Sequence, residues 1–449
     1  MHYYSLISKL YFTHIYIKKA INFQRYLYLI NFEQNNFMID FEKLILPNGL
    51  RVLVNTNKAT PMAFFNLLYN VGARDEDENL TGFAHLLEHL MFGGSVNIPE
   101  FDIHLENAGG ENNAFTTNDF TNYYITIPAN NIETAFWLES DRMLNLAFSE
   151  KSLEVQQKVV IEEFKQRYLN QPYGDAFLKL RPLAYKSHPY KWATIGKDIS
   201  HIEKATMQDV KSFYSKWYNP DNAILSICSP LDAETIFNLA EKWFGNINKA
   251  KTENKKYPKE KEQTEKRELV IKADVPFRAI YQAFHMPDRL SKDYKVCDLI
   301  SDLLSNGTSA RLYQRLVKNK NYFSSLNAFI SGDADPGLFL IQGELNENVT
   351  FSKVFKELNN ELDEIKNGNF SDKELEKVKN KFVSNFEFMK INGLNNAINL
   401  AFYEWLGDAN LLNNETSEYL SITKDDICRV AKNIFKESNL SQLIYEPLN

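Results

Sequence analysis

The sequence predicts a duplicated α+β fold: two homologous α/β-sandwich domains, each a mixed, mostly antiparallel sheet packed against helices. Three observations point there. From Phe41 onward, short apolar runs of strand character alternate with longer amphipathic ones. A charged stretch from Asn248 to Glu268, NKAKTENKKYPKEKEQTEKRE, reads as a solvated linker and divides the chain into halves of similar size. The halves also share sequence: Phe148-Ser-Glu-Lys-Ser-Leu-Glu154 is matched by Phe370-Ser-Asp-Lys-Glu-Leu-Glu376, each at the start of a long helical pattern.

The first half supplies most of the element signals. Leu44–Asn55 reads as two short strands about a Pro-Asn-Gly turn, and Ala63–Val71 as an apolar strand. Gly82–Phe92 reads as a helix that is apolar around most of its surface and therefore buried. Tyr123–Pro128 is a strand, followed by a helix from Ile132 to Asn145. Ser149 then sits where an N-cap belongs, with Glu or Lys in the first turn behind it. The expected organisation is a tail at 1–37, a first α/β domain at 38–247, the linker at 248–267, and a second α/β domain at 268–449.

Composition narrows the function classes. With 44% hydrophobic and 24% charged residues, the 449-residue chain has a globular composition and enough length for more than one core. A net charge of −7 offers no basic excess to neutralise phosphates, so a nucleic-acid partner is not expected. The three cysteines, Cys228, Cys297 and Cys428, are odd in number and far apart. They form neither a disulfide framework nor a thiolate metal site, and they favour a reducing compartment. The cytoplasm is the expected location, the periplasm the alternative. Residues 1–37 carry Lys9, Lys18, Lys19 and Arg25 within an aromatic-rich stretch that lacks a cleavage pattern. Nor do they contain the run of about 20 apolar residues that a membrane span requires. Met38 stands directly before the first regular strand pattern and is a candidate start of translation.

The chemistry concentrates in His85-Leu-Leu-Glu88-His89. At about 100° per residue, these three polar side chains leave one face of the Gly82–Phe92 helix, with the imidazoles one turn apart. Two neutral imidazoles so placed can reach one Zn²⁺ at roughly 2.0–2.1 Å each, and the glutamate between them stands beside the metal. The order H-x-x-E-H is the inverted form of the commoner zinc-peptidase helix motif. The bland alternative is a pair of hydrogen-bonded core histidines, which leaves a carboxylate on the same apolar helix without a partner. A catalytic zinc site needs a third ligand and an open position for water. Glu162 and Glu163, in Val159-Val-Ile-Glu-Glu-Phe-Lys165, are the candidates, and spacing alone does not choose between them. Laid over the second half, His85–Leu90 falls on Asp298–Leu303 and Glu163 falls on Asn385, so that copy lacks every candidate ligand. His104, His188, His201 and His285 are isolated and are expected at the surface or at helix ends. Phe92-Gly-Gly-Ser95 has no following P-loop lysine, which excludes a phosphate loop.

These segments belong to a longer ordered series. It runs Gly72-Ala-Arg-Asp-Glu76, Gly82–Phe92, Gly109-Gly-Glu-Asn-Asn-Ala-Phe-Thr116, Thr121–Tyr124, Val159–Phe164 and Gly307-Thr-Ser-Ala-Arg-Leu-Tyr313. From Phe41 to the C-terminus the chain resembles the pitrilysin, insulysin and mitochondrial processing peptidase family of inverted-motif zinc proteases. Its length is that of the bacterial-type half-length active subunits. The resemblance implies one Zn²⁺ per chain held by His85, His89 and Glu163, with Glu88 as general base and Glu162 turned elsewhere. It also implies that Asn113, Ala114, Phe115 and Thr116 form an edge strand to which an extended peptide substrate adds. In that scheme zinc lowers the pKa of a bound water to about 7 and Glu88 takes its proton during peptide hydrolysis.

Two departures stand out. The family often places a second glutamate seven residues before the ligand, where this chain has Gln156. Many relatives carry an Arg and a Tyr seven residues apart in the second half; here those positions are Val317 and Ser324. Chains of this length form half of a clamshell, so the resemblance implies a partner subunit of the same fold that supplies the Arg/Tyr pair. A heterodimer is expected ahead of a homodimer. The competing expectation is a non-catalytic core, scaffold or assembly subunit of the same fold.

Overall fold

The computed structural model describes residues 38–249 and 255–448, and the 1–37 tail lies outside the described residues. The first half contributes β1 (Glu42–Ile45), β2 (Arg51–Thr56), β3 (Met62–Tyr69), β4 (Glu111–Thr116), β5 (Thr121–Pro128) and β6 (Ala223–Ser229). The second contributes β7 (Arg267–Ala273), β8 (Ala279–His285), β9 (Phe323–Ile330), β10 (Leu338–Leu345) and β11 (Leu440–Pro447). Among the described residues they form two sheets, ordered β1-β2-β6-β3-β5-β4 and β7-β11-β8-β10-β9. Leave out the short β1, and the first order maps strand for strand onto the second. Each sheet has a single parallel pair, β2 with β6 and β7 with β11; all other pairings are antiparallel. The mixed, mostly antiparallel duplication is therefore present in the topology as well as in the sequence.

Seven helices position the site and the cores: α1 (Phe83–Met91), α2 (Ile132–Asn145), α3 (Glu150–Phe164), α4 (Ala176–Ala184), α5 (Lys292–Ser305), α6 (Asp372–Met389) and α7 (Gly393–Trp405). The two matching heptapeptides are N-termini of equivalent helices. Ser149 caps α3 by accepting from the Ser152 amide, and Ser371 caps α6 by accepting from the Glu374 amide.

Each half has a core of its own on one face of its sheet, and the other face is covered by the other half. Period-two alternation sends Phe65, Leu67 and Tyr69 of β3 toward the helices of the first half. The opposite face of that sheet buries Leu53, Leu68 and Ile224, and it is covered by α7 from the second half. The fit there is close: a Cβ on Gly393 would lie 2.4 Å from a Phe64 ring carbon. Conversely α4, from the first half, lays Ala176, Leu180 and Ala184 against Ala279, Ala283, Leu340 and Leu443 of the second sheet. Each half thus lends a helix to the back of the other's sheet.

The described part of the charged linker is mostly exposed, but a few of its residues are anchored to the fold. Within it, Lys255 is half-buried, with its ammonium 2.9 Å from the Asp75 carboxylate, and the Tyr257 hydroxyl donates to the same carboxylate at 2.5 Å. Glu260 accepts from the backbone amides of Lys186, Ser187 and His188. Two of the charges in this segment, Lys255 and Glu260, are held by partners distant in sequence, which composition does not reveal. A loop between β9 and β10 adds a second tie: Asp335 pairs with Arg74 at 2.9 Å, and Asp333 accepts from Asn118 at 2.6 Å.

A chain shortened to residues 38–247 loses α7 and exposes Leu53, Leu68 and Ile224 together. At about 1.5–3 kcal/mol for each side chain, that loss is comparable to the whole stability of a typical domain, about 5–15 kcal/mol. The fragment is expected to aggregate or to show no cooperative thermal transition by calorimetry. A soluble fragment with a sharp transition would contradict the exchange of cover between the halves.

Candidate active site

The site is built on α1. Its N-cap is Gly82 at φ 91°, a backbone conformation open to glycine. A Cβ there would also lie 2.7 Å from the carbonyl oxygen of Ile195. The apolar residues of α1, Leu86, Leu87, Leu90 and Met91, are buried in the first core. His85 and His89 leave the helix from consecutive turns with ring centroids 4.7 Å apart. At the C-terminal end, the buried Arg142 of α2 donates to the Met91 carbonyl at 3.4 Å. Its guanidinium is held by Glu139 through bonds of 2.5 and 3.1 Å, and a cation at this end complements the helix dipole.

α3 packs beside α1 and brings Glu163 to the imidazoles. Glu163 Oε2 lies 3.7 Å from His85 Nε2 and 3.6 Å from His89 Nε2. The donor atoms of the three side chains all lie within 4.8 Å of one another, and no other group of three or more such residues occurs among the described residues. Separations of that size are too long for hydrogen bonds. They are near the ligand-to-ligand edge of a tetrahedral zinc site, about 3.4 Å for bonds of the usual length. Burial, with smaller contributions from His89 and Arg167, pushes the His85 imidazole down to about 3, so it is neutral, as a metal ligand must be. Two imidazoles and a carboxylate fit a zinc ion and leave a fourth position for water. The choice between the adjacent glutamates, which spacing leaves open, follows from their directions: Glu162 is exposed and binds Lys165 at 2.6 Å.

Glu88 stands on the same face as the histidines. Burial raises its carboxyl above the usual range and Glu163 adds to the effect, while a bond from Thr116 opposes it. That bond, from Thr116 Oγ1 to Glu88 Oε2, is 2.5 Å long. Thr116 is the last residue of β4, the edge strand of the first sheet. The Ala114 amide bonds to the Asn113 side chain at 2.8 Å rather than to β5, so it faces the open edge. Asn113 is exposed, and Ala114, Phe115 and Thr116 are half-buried.

Three contacts at the site escaped the sequence reading. Thr116 was singled out for its backbone, and nothing in the sequence marks its hydroxyl as a partner of Glu88. Arg167 binds the other oxygen of Glu163 at 3.2 Å, from a short π-helical turn that continues α3. An i,i+4 Glu-Arg spacing was available as a signal for that pair. Arg142 is a third, visible only as a charge inside an otherwise apolar helical stripe. The equivalent positions of the second half are turned inward on one another. Asp298 accepts from the Tyr419 hydroxyl at 2.7 Å, Ser301 donates to the Asp298 carbonyl at 2.8 Å, and Asp302 accepts from Asn306 at 2.6 Å. Val317 packs into the second core and Ser324 donates to the Glu344 carbonyl at 3.3 Å. His104, His188, His201 and His285 stand apart from the three-ligand group, against Trp137, Asp335, Thr81 and the Ala184 carbonyl respectively.

Comparison with known proteins identifies the family. Residues 51–196 match the family model described as insulinase (peptidase family M16), and residues 204–382 match the one described as peptidase M16 inactive domain. The zinc protease PqqE of Helicobacter pylori is 30% identical over 423 residues, which cover 92% of this chain and 94% of that protein. The crystal structure of a protease from Helicobacter pylori is 29% identical and superposes with a TM-score of 0.86 over 91% of this chain and 100% of that one. The periplasmic protease PqqL of Escherichia coli, 18% identical, shares the fold at a TM-score of 0.74; 91% of this chain spans 48% of it. Two sheets of one topology, a His-x-x-Glu-His helix in the first alone and these matches in order along the sequence have one explanation: the chain belongs to the M16, or pitrilysin, family of peptidases.

Proposed function

We propose that this chain is a zinc-dependent endopeptidase that hydrolyses peptides or unfolded segments, with one Zn²⁺ held by His85, His89 and Glu163. The observation that supports it most directly is the convergence of three donor atoms from two helices beside a half-buried fourth group, Glu88. When bound, zinc would acidify a water and polarise the scissile carbonyl. Glu88 accepts the proton from that water and returns it to the leaving amine. Its raised carboxyl pKa suits a group that must both take and give a proton, and Thr116 holds it in register. Arg167 steadies Glu163 from the side away from the histidines. The open edge of β4 offers main-chain hydrogen bonds to an extended peptide, with Asn113 to Thr116 lining it.

Part of the machinery belongs to another chain in this reading. Val317 and Ser324 supply neither the cation nor the phenol expected for substrate contact in the second half. PqqL, whose length is about double the stretch matched here, supports a working unit made of two such bodies. We infer a partner subunit of the same fold that contributes the Arg/Tyr pair. The non-catalytic alternative has a counterpart within this molecule: the second half keeps the fold with Asp298, Ser301 and Asp302 where ligands and base would stand. The first half keeps all four groups, which favours catalysis.

Glu88→Gln is expected to retain zinc while losing roughly 10²–10⁴-fold in kcat, the range for a general base. His85→Ala is expected to lose zinc itself, measured as metal content after dialysis. A Glu88→Gln protein that cuts peptides at the parent rate would remove Glu88 from the mechanism.

Peptidase activity of the isolated chain is expected to be low and to rise when a same-fold partner is added, with sedimentation reporting a 1:1 complex. A monomer that is fully active alone would contradict the divided site.

A further inference from the structure

We propose that Glu76 is a positioning residue of the metal site, whose buried carboxylate grips the first turn of α1 and sets the orientation in which His85 meets the ion. The feature is local and specific. Glu76 Oε2 accepts from the Gly82 amide at 2.8 Å, and Oε1 accepts from the Ala84 amide at 2.9 Å. Ala84 directly precedes His85, so the second bond fixes the backbone from which the ligand side chain departs.

α1 has particular need of such a grip. It is nine residues long, and its N-cap Gly82 has no side chain to satisfy the free first-turn amides. A helix of that length has little stability of its own. Its C-terminal end is tied by Arg142, so the carboxylate and the guanidinium hold the helix at the two ends where the dipole favours each sign. Glu76 lies outside α1, just after a short 3-10 turn in which Asp75 accepts from the Gly72 amide and Arg74 pairs with Asp119 and Asp335. Burial pushes the Glu76 carboxyl up, and the Ala84 and Gly82 amides oppose that by favouring its ionised form. The segment Gly72–Glu76 thereby acquires a role: it delivers an acceptor to the metal-bearing helix while its neighbours fasten to the second half.

The test compares the parent with Glu76→Ala and Glu76→Gln. Zinc dissociation constants are measured by chelator competition, well below the unfolding temperature of each protein, alongside kcat and KM on a peptide. Glu76→Ala is expected to weaken zinc binding roughly 10–100-fold, the range for lost support of a metal ligand. Its kcat should fall with KM little changed. Glu76→Gln keeps one oxygen acceptor and is expected to fall between the two. If both variants fold and hold zinc as tightly as the parent, with the same kcat, the inference is overturned. Where Glu76→Ala does not fold, Glu76→Gln and Glu76→Asp decide it by the same comparison. The inference rests on the zinc-peptidase reading, and the two fail differently. A parent that binds no zinc ends both, whereas variants that bind it like the parent end this one alone.

Discussion

Two imidazoles and two carboxylates share the half-buried space between α1 and α3, and crowding these groups together is costly unless something positive lies among them. His85 and His89 do not bond to Glu163; they stop about a ligand-to-ligand distance away. That stand-off is what a cation requires and what a hydrogen-bonded core would avoid. The geometry around it is consistent with the same demand. Glu76 and Arg142 grip the two ends of a short helix, Thr116 restrains Glu88, and Arg167 restrains Glu163. Each of these contacts fixes a group whose direction matters more to metal chemistry than to packing.

The duplicated frame explains how such a site is kept rigid at the edge of a sheet. Because α4 and α7 are exchanged, each sheet is backed by a helix that belongs to the other half. The loop between β9 and β10 reinforces this, since Asp333 and Asp335 hold Asn118 and Arg74, close in sequence to Thr116 and Glu76. The second half has given up its own ligands, and its polar groups bond internally around Asp298. Its contribution to the first half's chemistry is therefore mechanical: it backs the sheet from which β4 and Thr116 reach the site.

What was legible in the sequence was local. The spacing of His85, Glu88 and His89 needs only helical geometry, and α1 forms where the apolar pattern requires it. The paired Ser caps, the Pro-Asn-Gly hairpin and the strand at β5 were readable for the same reason. The third ligand was not decided by spacing. Glu162 and Glu163 differ by one helical step; the family resemblance chose Glu163, and the direction of α3, with Lys165 drawing Glu162 outward, gives the physical reason. In the charged segment composition registers lysines and glutamates without their partners, so the anchoring of Lys255 and Glu260 to residues far away in the chain was not readable. The helix exchange was invisible for a related reason. An amphipathic stripe on α7 shows that a face is buried, and says nothing of which sheet buries it.

The central claim is that one cation occupies the point where His85, His89 and Glu163 converge. Anomalous X-ray scattering at the zinc absorption edge, from crystals of the zinc-loaded chain, tests it directly. One strong peak is predicted between the two imidazoles and Glu163, with bond lengths of roughly 2.0–2.2 Å to each. A fully loaded crystal with no peak there, or a peak that persists unchanged in His89→Ala, would contradict the account.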